Sequence, residues 1–180
     1  MDLVRHAILF GLLVLLPWPG AAADTSVVLS PESSTVAFRA YGLGLLPLDG
    51  KFARFQGRLT YDPDAPTHCS VALQADVTSL AITPALFHET VLGPDFLDAV
   101  RFPTLAYDGT CAPEGLTGQL TMHGVTRPFT LTLDRKPDLI TAVGVLLRAA
   151  WGMTARPVLG GATVRITVVV PLPASPQAGR

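Results

Sequence analysis

Apolar and polar residues alternate along most of this chain, and a period of two restricts it to half-buried β-strands. Thr35–Tyr41 sets Val36, Phe38 and Ala40 against Thr35, Ala37 and Arg39. Lys51–Asp62 aligns Phe55, Gly57, Leu59 and Tyr61 opposite Gln56, Arg58 and Thr60. Phe52 falls out of that phase, so a bulge or bend is expected near Ala53-Arg54. Cys69–Leu80 carries Val71, Leu73, Ala75 and Val77 on one face, and Thr104–Cys111 carries Leu105 and Tyr107. Gly115–His123 aligns Leu116, Gly118, Leu120 and Met122, and a tight turn leads into Arg127–Leu133 with Phe129, Leu131 and Leu133. Leu139–Trp151 and Ala162–Pro171 complete the series, while Ser26–Ser30 reads as an edge strand. About eight strands at hairpin spacing predict an all-β sandwich or up-and-down barrel. Gly57, Gly118 and Gly144 interrupt strand patterns, where glycine marks the sharp bends that a closed barrel needs. Eight strands make about the smallest barrel able to hold one ligand.

The alternation stops once at length, from Pro84 to Asp108. Thr83 and Pro84 read as an N-cap and a helix-starting proline, and Leu86, Phe87, Val91 and Leu92 recur at helical spacing. Gly93-Pro94 breaks that helix, Asp95–Asp98 forms a second turn, and Phe102-Pro103 ends it. A helical insert loaded with Phe87, Phe96, Leu97 and Phe102 has to cover something apolar. Gly42–Gly50, by contrast, reads as a loop carrying Leu43, Leu45, Leu46 and Leu48, and Asp62-Pro63-Asp64 as a turn.

The N-terminus indicates the compartment. Arg5 and His6 precede the apolar run Ala7–Leu16, Pro17–Gly20 ends it, and Ala21-Ala22-Ala23 offers a signal-peptidase site. That order predicts a secretory signal over residues 1–23, and the run is shorter than the roughly 18–20 apolar residues of a membrane span. The chain after Asp24 is one domain, and Leu172–Arg180 reads as a disordered tail. A net charge of −1 and the lack of like-charge runs argue against nucleic acid. Cys69 begins one predicted strand and Cys111 ends the next, so antiparallel pairing would bring them together as a disulfide in an exported protein.

Catalytic and metal constellations are missing. His68, His88 and His123 are far apart and lack metal-ligand spacing, and no nucleophile elbow, P-loop or dinucleotide fingerprint occurs. His88-Glu89 could form an acid–base pair, but neighbours on a helix do not face one another. A non-enzyme is expected, with no metal.

Five stretches, in order, carry a resemblance: SSTVAFRAYGLG (33–44), GKFARFQGRLTYDP (50–63), PDFLDAVRFPTLAY (94–107), LTGQLTMHGVTRPFTL (116–131) and RAAWGM (148–153). Together they resemble the YceI-like proteins, exported polyisoprenoid-binding barrels of lipocalin-like fold. The resemblance implies an antiparallel barrel over residues 24–171 whose interior takes the long tail of a quinone- or polyprenyl-type lipid. It implies no cofactor beyond that ligand, and a periplasmic location. The chain departs from the family at Ser30-Pro31-Glu32-Ser33-Ser34, where relatives often carry a histidine, and at Ala150-Trp151, where they carry an acid and phenylalanine. Head-group contacts therefore do not carry over.

The residues expected to line the cavity are Phe38, Phe55, Leu59, Leu73, Phe87, Phe96, Tyr107, Leu120, Met122, Phe129, Leu131, Trp151 and Val168. Periodicity cannot tell such a wall from a filled core. The alternatives are a stress-response or protein-interaction module with a filled barrel, whose partner surface would be the Leu43–Leu48 loop, and an outer-membrane barrel, which the missing aromatic girdles disfavour. Membrane contact and homodimerisation stay open.

Overall fold

A computed structural model describes residues 24–172 apart from 43–44, 64, 66 and 157–159. The predicted signal segment 1–23, residues 173–180 of the predicted tail, Leu43 of the predicted loop and Asp64 of the predicted turn lie outside the described residues. The strands are β1 (Thr25–Leu29), β2 (Thr35–Gly42), β3 (Leu46–Phe52), β4 (Phe55–Tyr61), β5 (Cys69–Asp76), β6 (Leu80–Thr83), β7 (Thr104–Ala112), β8 (Gly115–Met122), β9 (Val125–Lys136), β10 (Leu139–Leu147) and β11 (Gly160–Pro171). They form one curled antiparallel sheet in the order β1-β4-β5-β7-β8-β9-β10-β11-β2-β3-β6.

Eleven described strands reduce to the expected ring of about eight because two strands are bent rather than ended. Phe52 and Phe55 are both buried although three residues apart, which strict alternation forbids. The chain solves this by turning at Ala53-Arg54, so that β3 continues as β4 with both rings inside. Opposite them β5 continues as β6 through a 3-10 turn at Val77–Ser79. Phe52 stays paired with Leu80 on one side of the bend and Phe55 with Ala75 on the other. Since β2 pairs with β3 and β4 pairs with β5, the bent strand joins the two ends of the sheet. β1 lies outside the ring, paired to β4 alone.

Side chains hold the double bend. Backbone bonds run from Asp76 N to Arg54 O (3.0 Å) and from Ala53 N to Ser79 O (3.1 Å). The Arg54 guanidinium donates to Asp76 Oδ2 from Nε (2.9 Å) and Nη2 (2.8 Å). Asp76 Oδ1 accepts from both the backbone N–H and the hydroxyl of Thr78, capping the turn. The Ser79 hydroxyl donates to Asp76 O and accepts from Arg54 N.

Three expectations are corrected. The predicted loop at 42–50 is largely strand: Leu46–Gly50 pair with β2, because Leu48 and Gly50 take the same inward phase as Phe52. Thr83 is the last residue of β6 rather than an N-cap, and Pro84 follows a cis bond in extended conformation with no side-chain cap. The helix α1 is accordingly only His88–Leu92, preceded by a 3-10 turn at Ala85–Phe87. Finally, β10 ends at Leu147, and Arg148–Trp151 is a 3-10 turn. Leu172 N donates to Asp138 O (2.8 Å).

The Thr78 bonds and the Arg54 guanidinium hold the Asp76 carboxyl below its ordinary value. A carboxyl whose folded pKa is lowered stabilises the fold above the unfolded value, about pH 4, and loses that contribution as pH falls through the lowered folded value. Asp76→Asn is therefore expected to melt at a lower temperature than the parent chain at pH 7. The gap should narrow below about pH 4 as the parent's own carboxyl protonates. Paired thermal melts across that range check it, and a gap constant with pH would contradict it.

Candidate functional site

All but two of the side chains expected to line a cavity face one, because the inner strand faces cannot fill a ring of this girth. The end of the ring that carries the insert also carries the β2–β3 connection, the β8–β9 turn and the Arg148–Arg156 segment. The insert folds on its own backbone: Phe96 N and Asp98 N donate to Gly93 O, Leu97 N to Val91 O, and Ala99 N to Leu92 O. These bonds turn Phe87, Val91, Phe96 and Leu97 toward the barrel, where all four line a cavity of about 340 Å³. Such a volume lies within the usual range for small-molecule sites, roughly 300–1,000 Å³.

From the barrel itself, Phe38 of β2, Leu73 of β5, Tyr107 of β7, Leu120 and Met122 of β8, Phe129 and Leu131 of β9, and Val168 of β11 line the same cavity. Leu59 does not; it lines a second cavity of about 480 Å³ at the opposite end, beneath the β7–β8 and β9–β10 turns. Leu73, Tyr107, Leu131 and Val168 face both cavities and form the waist between them. Phe55 and Trp151 line neither. Phe55 is core packing beside the bend. Trp151 is 4% exposed and stands behind the wall: its Nε1 donates to Leu120 O (3.1 Å) and its ring meets Phe129 edge-on at 6.0 Å.

Other lining residues escaped the sequence reading. Leu46 and Leu48 did so because their segment read as a loop, and Phe52 because it fell out of phase with the strand it was placed in. Val164 and Ile166 share Val168's phase and could have been taken with it. Arg148 stands out in the sequence only as the first residue of the RAAWGM stretch, with no role attached. It is 6% exposed, and its guanidinium donates to the carbonyls of Gly161 (3.0 Å), Met153 (2.6 Å) and Arg156 (3.2 Å) while lying 5.2 Å from the Phe96 ring. It thus fastens the segment after β10 to β11 and to the insert. Arg156 and Asp95 form an ion pair across the same seam.

Gly144 and Gly118 show why the interior holds space and large rings together. A Cβ on Gly144 would lie 2.4 Å from Phe129 Cζ, and one on Gly118 would lie 2.1 Å from the Asp108 carbonyl oxygen. The first absence seats a ring of the cavity wall; the second lets β7 and β8 coil tightly.

The polar chemistry of the interior is sparse. Tyr107 is buried, its hydroxyl is within reach of Leu116 O (3.2 Å) and Phe129 O (3.1 Å), and burial pushes its pKa up to about 12. The phenol is neutral at any physiological pH. His88 and Glu89 do touch, at 3.3 Å, contrary to the helical-neighbour argument, because His88 sits at the first position of a single-turn helix. Glu89 is solvent-exposed and neither residue lines a cavity. His123 Nδ1 lies 3.0 Å from Trp151 O, a structural bond from the β8–β9 turn. Among the described residues no three His, Cys, Asp or Glu side chains group as metal ligands, and no helix is long and apolar enough to cross a membrane.

Cys69 and Cys111 are disulfide-bonded, with Cα atoms 5.0 Å apart, and the bridge forms part of the second cavity's wall. It lies one step beyond the Ser70–Thr110 pair that ends the β5–β7 ladder.

A ring of bent antiparallel strands around apolar space, capped by one helical insert, is a lipocalin-like barrel. Within that class the chain belongs to the YceI-like domain family, whose model matches residues 28–172. A UPF0312 protein of Vibrio campbellii is 28% identical over 127 residues, 67% of each chain, and one of Shewanella putrefaciens is 26% identical over 129. Among solved structures, Burkholderia cenocepacia BcnA matches with a TM-score of 0.66 at 22% identity, covering 78% of this chain and 96% of its own. A polyisoprenoid binding domain from Saccharophagus degradans, implicated in plant cell wall breakdown, matches at 0.57 and 10% identity, covering 82% and 98%.

Because Trp151 supports the wall without lining it, Trp151→Phe should destabilise the fold by about 1 kcal/mol, the cost of losing the indole hydrogen bond and ring contact. Denaturant unfolding of the variant measures this; no loss would mean the indole bond contributes nothing to the wall.

Proposed function

We propose that the chain is a non-catalytic carrier or sequestering protein for a long-chain isoprenoid lipid, quinone- or polyprenyl-type, whose tail lies in the barrel. The observation that carries this reading is the apolar cavity closed by Phe87, Val91, Phe96 and Leu97 of the insert. Membership of the YceI-like family and the likeness to a polyisoprenoid binding domain support it. The energetics agree: each buried CH₂ contributes up to about 0.8 kcal/mol, so a long tail binds tightly with few polar contacts, less the cost of ordering it. Residues 1–23 act as a cleaved export signal and the protein works in the periplasm, a compartment in which the Cys69–Cys111 bridge forms.

One observation favours a second reading, a protein-interaction module. Leu45 and Leu86 are 88% and 75% exposed at the end of the barrel that carries the insert. Tyr41 and Leu46 are also exposed, yet both line the first cavity. That continuity favours an apolar lip through which a tail enters.

Organic extraction of the exported protein followed by mass spectrometry should recover an isoprenoid lipid in near-stoichiometric amount; an empty protein would overturn the carrier reading. Phe96→Ala is expected to lower lipid retention by about tenfold, equivalent to about 1.4 kcal/mol of tail contact, with a smaller effect on thermal stability. A variant that unfolds while its folded fraction keeps the lipid would make the insert core and not lid.

A further inference from the structure

Charged groups are few on the wall of the first cavity, and they have one sign. They are Arg148 and Arg156, and no aspartate or glutamate lines it among the described residues. The second cavity is mixed, with Asp62 beside Arg135 and Lys136. Arg148 is spent, since its fork donates to three carbonyls. Arg156 is not. Its side chain is 52% exposed, and only Nε is engaged, in the pair with Asp95 of the insert. Both Nη groups are without a partner among the described residues. Asp95 itself is not part of the cavity wall. The backbone keeps Arg156 there at some cost: its φ is 48°, a left-handed conformation uncommon outside glycine, and Arg148 Nη2 donates to its carbonyl at 3.2 Å. Thr90 of α1 adds a hydroxyl to the same wall.

We propose that Arg156 reads the head group of the ligand: the cavity takes a single-chain amphiphile with an anionic phosphate head, held by the Nη edge of Arg156 at the insert end. This rests on the carrier reading and deepens it, selecting a prenyl phosphate over a neutral quinone or alcohol. The two Nη groups present N–H donors in a plane, a geometry that matches two phosphate oxygens. The lip of Tyr41 and Leu46 lines the same cavity, so a tail that enters there first leaves its head beside Arg156. The pair with Asp95 is solvent-exposed and weak, so the guanidinium turns to a phosphate at little cost. Elsewhere on this wall a phosphate would be stripped of water among apolar side chains with nothing to replace it.

The test uses delipidated full-length mature protein and two ligands that share one tail, geranylgeranyl phosphate and geranylgeraniol, with dissociation constants measured for each. The parent chain is expected to prefer the phosphate by about tenfold, the worth of a charge-assisted hydrogen bond, and the preference should shrink as salt is raised. Arg156→Gln should abolish the preference. Arg156→Lys keeps the charge without the fork, so it should lose part of the preference, and it carries the test if the glutamine variant does not fold. Lys136→Gln, in the second cavity, should leave the preference in place. Equal affinities in the parent, or a preference lost in Lys136→Gln and kept in Arg156→Gln, would overturn the head-group assignment and leave the carrier reading standing. Inorganic phosphate at the same concentration is expected not to displace geranylgeranyl phosphate; displacement would make this a free-phosphate site and overturn the amphiphile. Failure of both lipids to bind any of the proteins would overturn the carrier reading and the head-group assignment with it.

Discussion

The closure of the sheet depends on one pair of bends. An antiparallel sheet left open exposes two rows of unpaired backbone groups, and curling it into a ring removes them. Here the ring joins where β3 becomes β4 and β5 becomes β6, and neither strand could turn without the other. The Arg54–Asp76–Thr78–Ser79 set supplies partners for the backbone groups and side chains that the turn would otherwise strand. The two phenylalanines supply the reason to turn, since Phe52 and Phe55 can both be buried only if the strand breaks phase between them. Hydrophobic burial drives the bend, and hydrogen bonding makes it affordable.

Once the ring is closed, its inner face has two duties. Some inward residues must pack to hold the walls together, and others must leave room. The division follows position more than residue type. Leu120, 1% exposed, and Phe129, 7% exposed, are as buried as any core residue, yet both face the cavity. Phe55 is equally buried and faces none. Low exposure to water alone therefore does not separate wall from core.

This explains what could be read in advance. Strand phase was legible because the alternation is strong, and the out-of-phase Phe52 marked the bend to the residue pair. The cysteines were legible because strand starts and ends are opposed in antiparallel pairs. β3 was not legible: Gly42, Gly44, Pro47 and Gly50 obscure the alternation of Leu46 and Leu48, and a tertiary demand for a partner beside β2 overrode local propensity. The sequence places Trp151 at the end of a strand and on the cavity wall. No periodicity could reveal that a 3-10 turn at the end of β10 puts its indole behind Phe129. The role of Arg148 was silent for the same reason, since it lies in carbonyls contributed by distant turns.

Arg148 also changes how the insert should be understood. A lid held only by apolar contact would slide, because hydrophobic attraction has no direction. The guanidinium is directional. It presents a planar fork, so three carbonyl acceptors fix its plane and thereby the position of the Phe96 ring beside it. The Asp95–Arg156 pair fixes the neighbouring point of the same seam, but it is solvent-exposed and contributes little by itself. The insert is thus pinned near Phe96, while near Phe87 and Val91 it packs against the core with apolar side chains.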